Sequence, residues 1–201
     1  MSTEISISKD SCSATVTRGA GSLEAVSPGG YYITECYDKD GNLKWSDYIK
    51  NVVTDTGRNH MLGVEFKAVT QVTAWYLGLI SSVKGANNYA NVANTDTQAS
   101  HSNWGYANSN NAPNFSQTSL RQVTFATAAS KAIASSNAAV FSIITSGTVK
   151  GAFLSSNPNK SNAGAGPTTG TLYSAGLFAA GDKVVSNGDT LNVSYTTVLG
   201  G

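Results

Sequence analysis

Glu35, Asp38, Asp40 and Asp47 around the run YDKDGN, and His101 in ASHSNW, are the residues with which this chain could do acid–base chemistry. His101 stands among serines, with Asp96 upstream. A Ser–His–Asp relay needs those types, with the hydroxyl in reach of the imidazole and a carboxylate behind it. No G-x-S-x-G elbow is present to expose a serine, so a turn-stabilising histidine is the better reading. His60 falls in a helical segment, where packing or exposure accounts for it. Glycoside hydrolysis needs two carboxylates flanking a bond. Glu35 and Asp47 can meet across a hairpin, but neither has an acid–base context. Several other acids have local explanations: Asp38 and Asp40 in a turn, Asp55 at a helix start, Asp182 and Asp189 beside turns. YDKDGN resembles the opening of a calcium loop but lacks the downstream bidentate Glu. Cys12 and Cys36 are too few for a structural zinc site; two reduced, buried thiols are the preferred reading, and a disulfide between them is the alternative. The expectation is no catalytic residue, no metal, no cofactor, and a protein that is not an enzyme.

The elements that must position these residues are mostly strands. YYITECY and NLKWSDYI flank Asp40-Gly41, with Leu43 and Trp45 alternating against Lys44 and Ser46, which predicts a β-hairpin. Further strands are expected over residues 70–80, 122–126, 139–145 and 148–154, with Ser146-Gly147 as a tight turn between the last two. TLYSAGLF and DTLNVSYTTV complete the series, the latter with Leu191, Val193 and Tyr195 on one face. One helix is predicted over residues 55–66, capped by Thr54 or Asp55. Its Arg58, Leu62, Glu65 and Phe66 fall on one side, with Met61 beside them. TAASKAIASSNAA is read as a loop. The fold class is all-β: a β-sandwich or jelly roll with long Asn/Ser/Gly-rich loops and one short helix. The expected core is Trp45, Trp75, Phe141, Phe153, Leu191 and Tyr195. Residues 23–201 form a single domain, and residues 1–22 are an N-terminal arm or edge strands. As an arm, EISISKD and SATVT add to a neighbour's sheet edge; otherwise they are two strands of the protein's own sandwich.

Composition narrows the partners. The net charge is +1 and charged residues make up 12% of the 201, about half the usual ~25%. The cationic side chains are scattered, so no phosphate-tracking stripe exists and nucleic acid is not expected. No apolar run reaches the length of a membrane span, and the first residues do not read as a secretion signal. The polar surface is Asn, Ser and Thr, concentrated in loops over residues 81–120 and 155–169. Tyr89, Trp104, Tyr106 and Phe115 in the first loop have three open uses: anchoring the loop to its own sheet, meeting a protein, or stacking on sugar. With His101, Asn159 and Lys160 they make up the candidate interface.

The segments ECYDKDGNLKWSDYIKNVVTDTGRNHML, TAWYLGLI, ASHSNWGYA, TVKGAFL, GTLYSAGLF and VSNGDTLNVSYT follow one another in that order. As a set they resemble a family of small tailed-bacteriophage virion proteins, over residues 31–197. The resemblance implies a structural role in the particle and brings no catalytic motif. The expectation is a capsid decoration (cement) protein on the outer head. Its partners would be the major capsid protein and copies of itself, in a virion assembled in the host cytoplasm. The alternatives are a tail or fibre component binding host surface glycan, and a glycan depolymerase.

Overall fold

The computed structural model describes residues 28–81, 92–100, 107, 112–160 and 168–200. In chain order the elements begin β1 (Pro28–Tyr37), β2 (Leu43–Lys50), β3 (Val52–Val53), α1 (Asp55–Lys67) and β4 (Trp75–Ser81). They continue with β5 (Asn114–Phe115), β6 (Arg121–Val123), β7 (Ala132–Ala134) and β8 (Ala139–Thr145). The last four are β9 (Gly147–Ser155), β10 (Leu172–Leu177), β11 (Lys183–Val185) and β12 (Thr190–Leu199). The strands form two antiparallel six-stranded sheets packed as a sandwich. Sheet A runs β2-β1-β12-β8-β5, with β7 also on β12; sheet B runs β3-β10-β9-β4-β6, with β11 also on β9. The expected sandwich with one short helix is therefore present. The proposed arm, residues 1–22, lies outside the described residues.

The first hairpin closes as its sequence requires. Gly41 takes φ 85°, which a side chain resists. The Asp38 carboxylate accepts the amides of Asp40 at 2.9 Å and Asn42 at 2.8 Å. Those bonds, Asn42's first, hold its carboxyl below the usual range. The aspartates of YDKDGN thus build a turn. Along β1, Tyr32, Thr34 and Cys36 point inward while Tyr31 and Ile33 point outward, the period of two expected of a half-buried strand.

Several local expectations are corrected. Ser146-Gly147 does not close a hairpin: β8 pairs within sheet A and β9 within sheet B, so the chain changes sheets there. Gly147 is needed at that corner, because a Cβ would lie 2.8 Å from the Pro113 nitrogen. The strands expected at 70–80 and 122–126 shorten to β4 and β6. TAASKAIASSNAA is not wholly a loop, since it contains β7. Ala129 and Ala132 exchange both backbone hydrogen bonds at 2.9 Å around Ser130 and Lys131, at φ 51° and 61°. Two left-handed residues in that place are the twist a tight hairpin needs.

Phe141, Phe153, Leu191 and Tyr195 are buried as expected. Trp45 and Trp75 are only half-buried against the core. Trp45 stands on the sheet-edge strand β2, its indole N–H donating to Val184 O at 3.0 Å; Trp75 opens β4 at the rim. Phe153 lies over Gly78, its cross-strand partner, where a Cβ would come within 2.1 Å of the ring.

The helix has the predicted cap but a different inner face. Thr54 Oγ1 accepts from Gly57 N at 3.0 Å. Leu62 and Phe66, expected on a common packing side, are 56% and 77% exposed. The inner stripe is Gly57, His60, Met61 and Val64, at i, i+3, i+4 and i+7. Gly57 decides this, because it rests on the backbone of Tyr173 where a Cβ would sit 2.5 Å from the carbonyl oxygen.

Two stability measurements follow. Phe153→Ala should cost about 3–5 kcal/mol in urea unfolding; a loss below about 1 kcal/mol would mean the site collapses without a cavity. Gly57→Ala gains about 1 kcal/mol of helix propensity but forces an overpacking cost of about 1–3 kcal/mol against backbone. The expected result is a net loss, and a net gain would show that α1 moves off β10 freely.

Candidate functional site: an uncharged aromatic pocket

A cavity of about 430 Å³ opens between α1 and the rims of both sheets. That falls within the ~300–1,000 Å³ of ordinary ligand pockets. The helix supplies His60, Met61 and Val64 from its inner stripe, and the run into β4 supplies Gln71, Val72, Thr73 and Trp75. Leu154 and Tyr173 come from sheet B; Ile133, Tyr195 and Thr197 come from sheet A, with Phe125 just beyond β6.

The rings meet edge to face. Trp75 lies 5.4 Å from Tyr173 at 68° and 5.9 Å from His60 at 75°. Tyr195 lies 6.4 Å from Tyr173 and 6.3 Å from Phe125. This geometry sets a ring's positive edge on its neighbour's negative face, worth about 0.5–1.5 kcal/mol per pair beyond area burial. The Tyr173 hydroxyl lies 3.1 Å from Met61 Sδ and 3.4 Å from Thr197 Oγ1, and burial raises its pKa. Thr197 in turn donates to Gly29 O at 3.0 Å.

None of the described lining residues is Asp, Glu, Lys or Arg. Among the described lining residues His60 is the one imidazole, and none is a carboxylate that could orient it. Such a wall suits binding of an uncharged, largely apolar group, because a bare charge placed against it would lose hydration without compensation. Among the described residues no cluster of three or more His, Cys, Asp or Glu could hold a metal ion. Among them also, no helix is long and apolar enough to cross a membrane.

The candidate interface fares unevenly. Tyr89, His101, Trp104 and Tyr106 lie outside the described residues. Phe115 is 0% exposed, edge-to-face with Phe141 at 5.0 Å, so it is an internal anchor and not a contact surface. Lys160 stands over that ring at 3.9 Å and donates to the Phe115 and Gln117 carbonyls. Asn159 is exposed and bridges to Ser119. Glu35 and Asp47 do not meet: Glu35 pairs with Ser46 and Asp47 with Thr34, which puts the two acids on opposite faces. Asp47 instead binds Lys183 at 2.6 Å. Cys36 is free and buried, its thiol pushed up to about 12, first by burial and then by Asp189. Cys12 lies outside the described residues.

The sequence reading missed the pocket. Trp75, Met61 and Tyr173 stand far apart in the sequence, and no motif joins them. The available signal was the Gly57/His60/Met61/Val64 stripe, which marks the helix face that approaches the sheets. No family model, no curated protein and no solved structure matches the chain.

Lys160 yields a pH test. Burial pushes its ammonium down to about 8, against about 10.4 for a free lysine. Between those values the unfolded chain holds a proton that the folded chain has released, so this residue makes stability rise with pH across that window. Urea midpoints followed from pH ~7.5 to ~9.5 should rise for wild type relative to Lys160→Met as the buried charge is lost. Parallel curves would show an ordinary lysine.

Proposed function

We propose that this protein is a non-enzymatic structural component of a tailed-bacteriophage virion, a decoration (cement) protein that binds the outer head and reinforces capsomer contacts. The observation that carries the reading is the pocket: an aromatic socket in a frame of two sheets, whose described lining residues include no Asp, Glu, Lys or Arg. Such a socket receives an apolar side chain of a neighbouring subunit, and buried aromatic contacts of this kind commonly dominate an interface. The ordered resemblance of residues 31–197 to phage virion proteins supports the same role. So does the low charge density, which lets surfaces associate without strong mutual repulsion. Many weak contacts on a repeating shell add through avidity.

A second reading is a tail or fibre component that binds host glycan. It is favoured by the same rings, because the apolar faces of neutral sugars fit against Trp and Tyr. Band quantification on purified particles separates the two readings: hundreds of copies place the protein on the head, a few tens or fewer on the tail. Trp75→Ala, with an unchanged circular dichroism spectrum, should weaken binding to particles lacking the protein by about 30-fold, the effect of a hot-spot residue. Full binding by that variant would remove the pocket from attachment, and absence of the protein from purified particles would overturn the virion role.

A further inference from the structure

The outer face of sheet A has a pattern that the pocket does not use. Cross-strand register places Tyr31, Ile33 and Glu35 of β1 opposite Lys50, Tyr48 and Ser46 of β2. Asn192, Ser194 and Thr196 extend that face on β12, and Val140 extends it on β8. Tyr31, Ile33 and Tyr48 are 39%, 44% and 67% exposed, and Val140 is 38% exposed. Ile33 and Tyr48 are direct partners and Tyr31 is two residues along β1, so these three make a contiguous apolar surface, while Val140 stands apart across Asn192. Hydroxyls and amides surround it, and its charges are Glu35 toward one end and Lys50 toward the other. Among the described residues neither charge belongs to an ion pair. Glu35 accepts the Tyr37 hydroxyl at 3.0 Å through one carboxylate oxygen.

We propose that this face is the seam of a symmetric homodimer, in which a second copy of the chain stacks sheet A against sheet A. The charges choose both the occupant and its orientation. Glu35 and Tyr31 are four residues apart on β1, about 14 Å, and Lys50 sits beside Tyr31 one strand spacing away, about 5 Å. A two-fold axis crossing the strands at the level of Ile33 and Tyr48 reverses the second copy. Ile33 and Tyr48 then meet their own counterparts, and Glu35 of each copy comes within one strand spacing of the partner's Lys50. The same patch serves both copies, as a two-fold contact requires, and two ion pairs form at opposite ends of an apolar centre. A two-fold axis along the strands, midway between β1 and β2, instead brings the two Lys50 side chains within one strand spacing of each other and leaves Glu35 over Ser46. Like charges facing each other disfavour that arrangement. Aligned sheet-on-sheet stacking is an ordinary way to bury such a face. The inference holds whether or not the protein belongs to a particle.

Sedimentation equilibrium of the full chain at about 100 µM reads the outcome, since interfaces of standard size give dissociation constants from micromolar down. Wild type is expected at twice 20.8 kDa. Ile33→Asp should sediment as a monomer with an unchanged circular dichroism spectrum. Glu35→Lys and Lys50→Glu should each weaken the dimer about tenfold or more, and the double swap should restore it. A wild-type monomer overturns the proposal and assigns the face to residues 1–27 or to a different protein. A dimer indifferent to Ile33→Asp, or a double swap that fails to restore association, overturns it as well.

Discussion

Four polar side chains buried between the sheets hold the frame in register. The Tyr32 hydroxyl lies 2.6 Å from Ser174 Oγ, which lies 3.2 Å from the Tyr195 hydroxyl. That hydroxyl also accepts from Asn51 Nδ2 at 2.9 Å. Tyr32 and Tyr195 belong to sheet A and Ser174 to sheet B, while Asn51 stands where the chain leaves β2 for β3. Apolar layers can slide past one another at small cost, but these groups lose their partners if either sheet shifts. A buried polar group left unpaired costs about 1–3 kcal/mol. The network therefore specifies one alignment of the sheets more than it adds bulk stability. It also fixes the pocket, because the ring of Tyr195 is a pocket wall and its hydroxyl is tied into the network. Burial raises the pKa of both tyrosines, which keeps the network protonated.

The open side of the sandwich is secured differently. Lys44 meets the buried carboxylate of Asp189 at 2.5 Å, and Asp189 also accepts the Ser186 amide at 2.7 Å. Asp47 and Lys183 join β2 to β11, and the indole of Trp45 reaches the Val184 carbonyl. Asp47 and Lys183 thus sit where the edge strand of one sheet must be held to the other, while Lys44 and Asp189 tie β2 to the turn before β12 within sheet A. That arrangement also occupies inward side chains of β2, an edge otherwise suited to pairing with stray strands.

The fold was legible where the physics is local. Alternation along β1 and β12, the Asp-Gly corner and the Thr54 cap are each decided by neighbours within a few residues, and all are present. The sheet change at Ser146 was not legible, because a turn signal records that the chain bends and not whether the flanking strands pair. The inner face of α1 was misread for a related reason. Leu62 and Phe66 look like an apolar stripe, but the deciding contact is the backbone of Tyr173, more than a hundred residues away, against Gly57. Phe115 stands in a polar segment that leaves anchoring, protein contact and sugar stacking all open, and only the packing of its ring on Phe141 from a two-residue strand selects anchoring. The pocket was the least legible feature: its walls come from α1, β4, β7, β9, β10 and β12, and no short motif contains more than one of those.

The pairing of β1 with β12 runs without a break from Pro28↔Leu199 to Tyr37↔Thr190. Residues 28 and 199 are thus neighbours at one corner of the sandwich, and the two strands run away from that corner side by side. Tension applied between those residues does not load the whole ladder at once. It falls on the nearest hydrogen bonds and opens them in sequence, as a zipper opens. Tension along the strands from opposite ends would instead strain the bonds together and meet far greater resistance. The domain is therefore mechanically directional, yielding when tugged at that corner and stiff when stretched along its length.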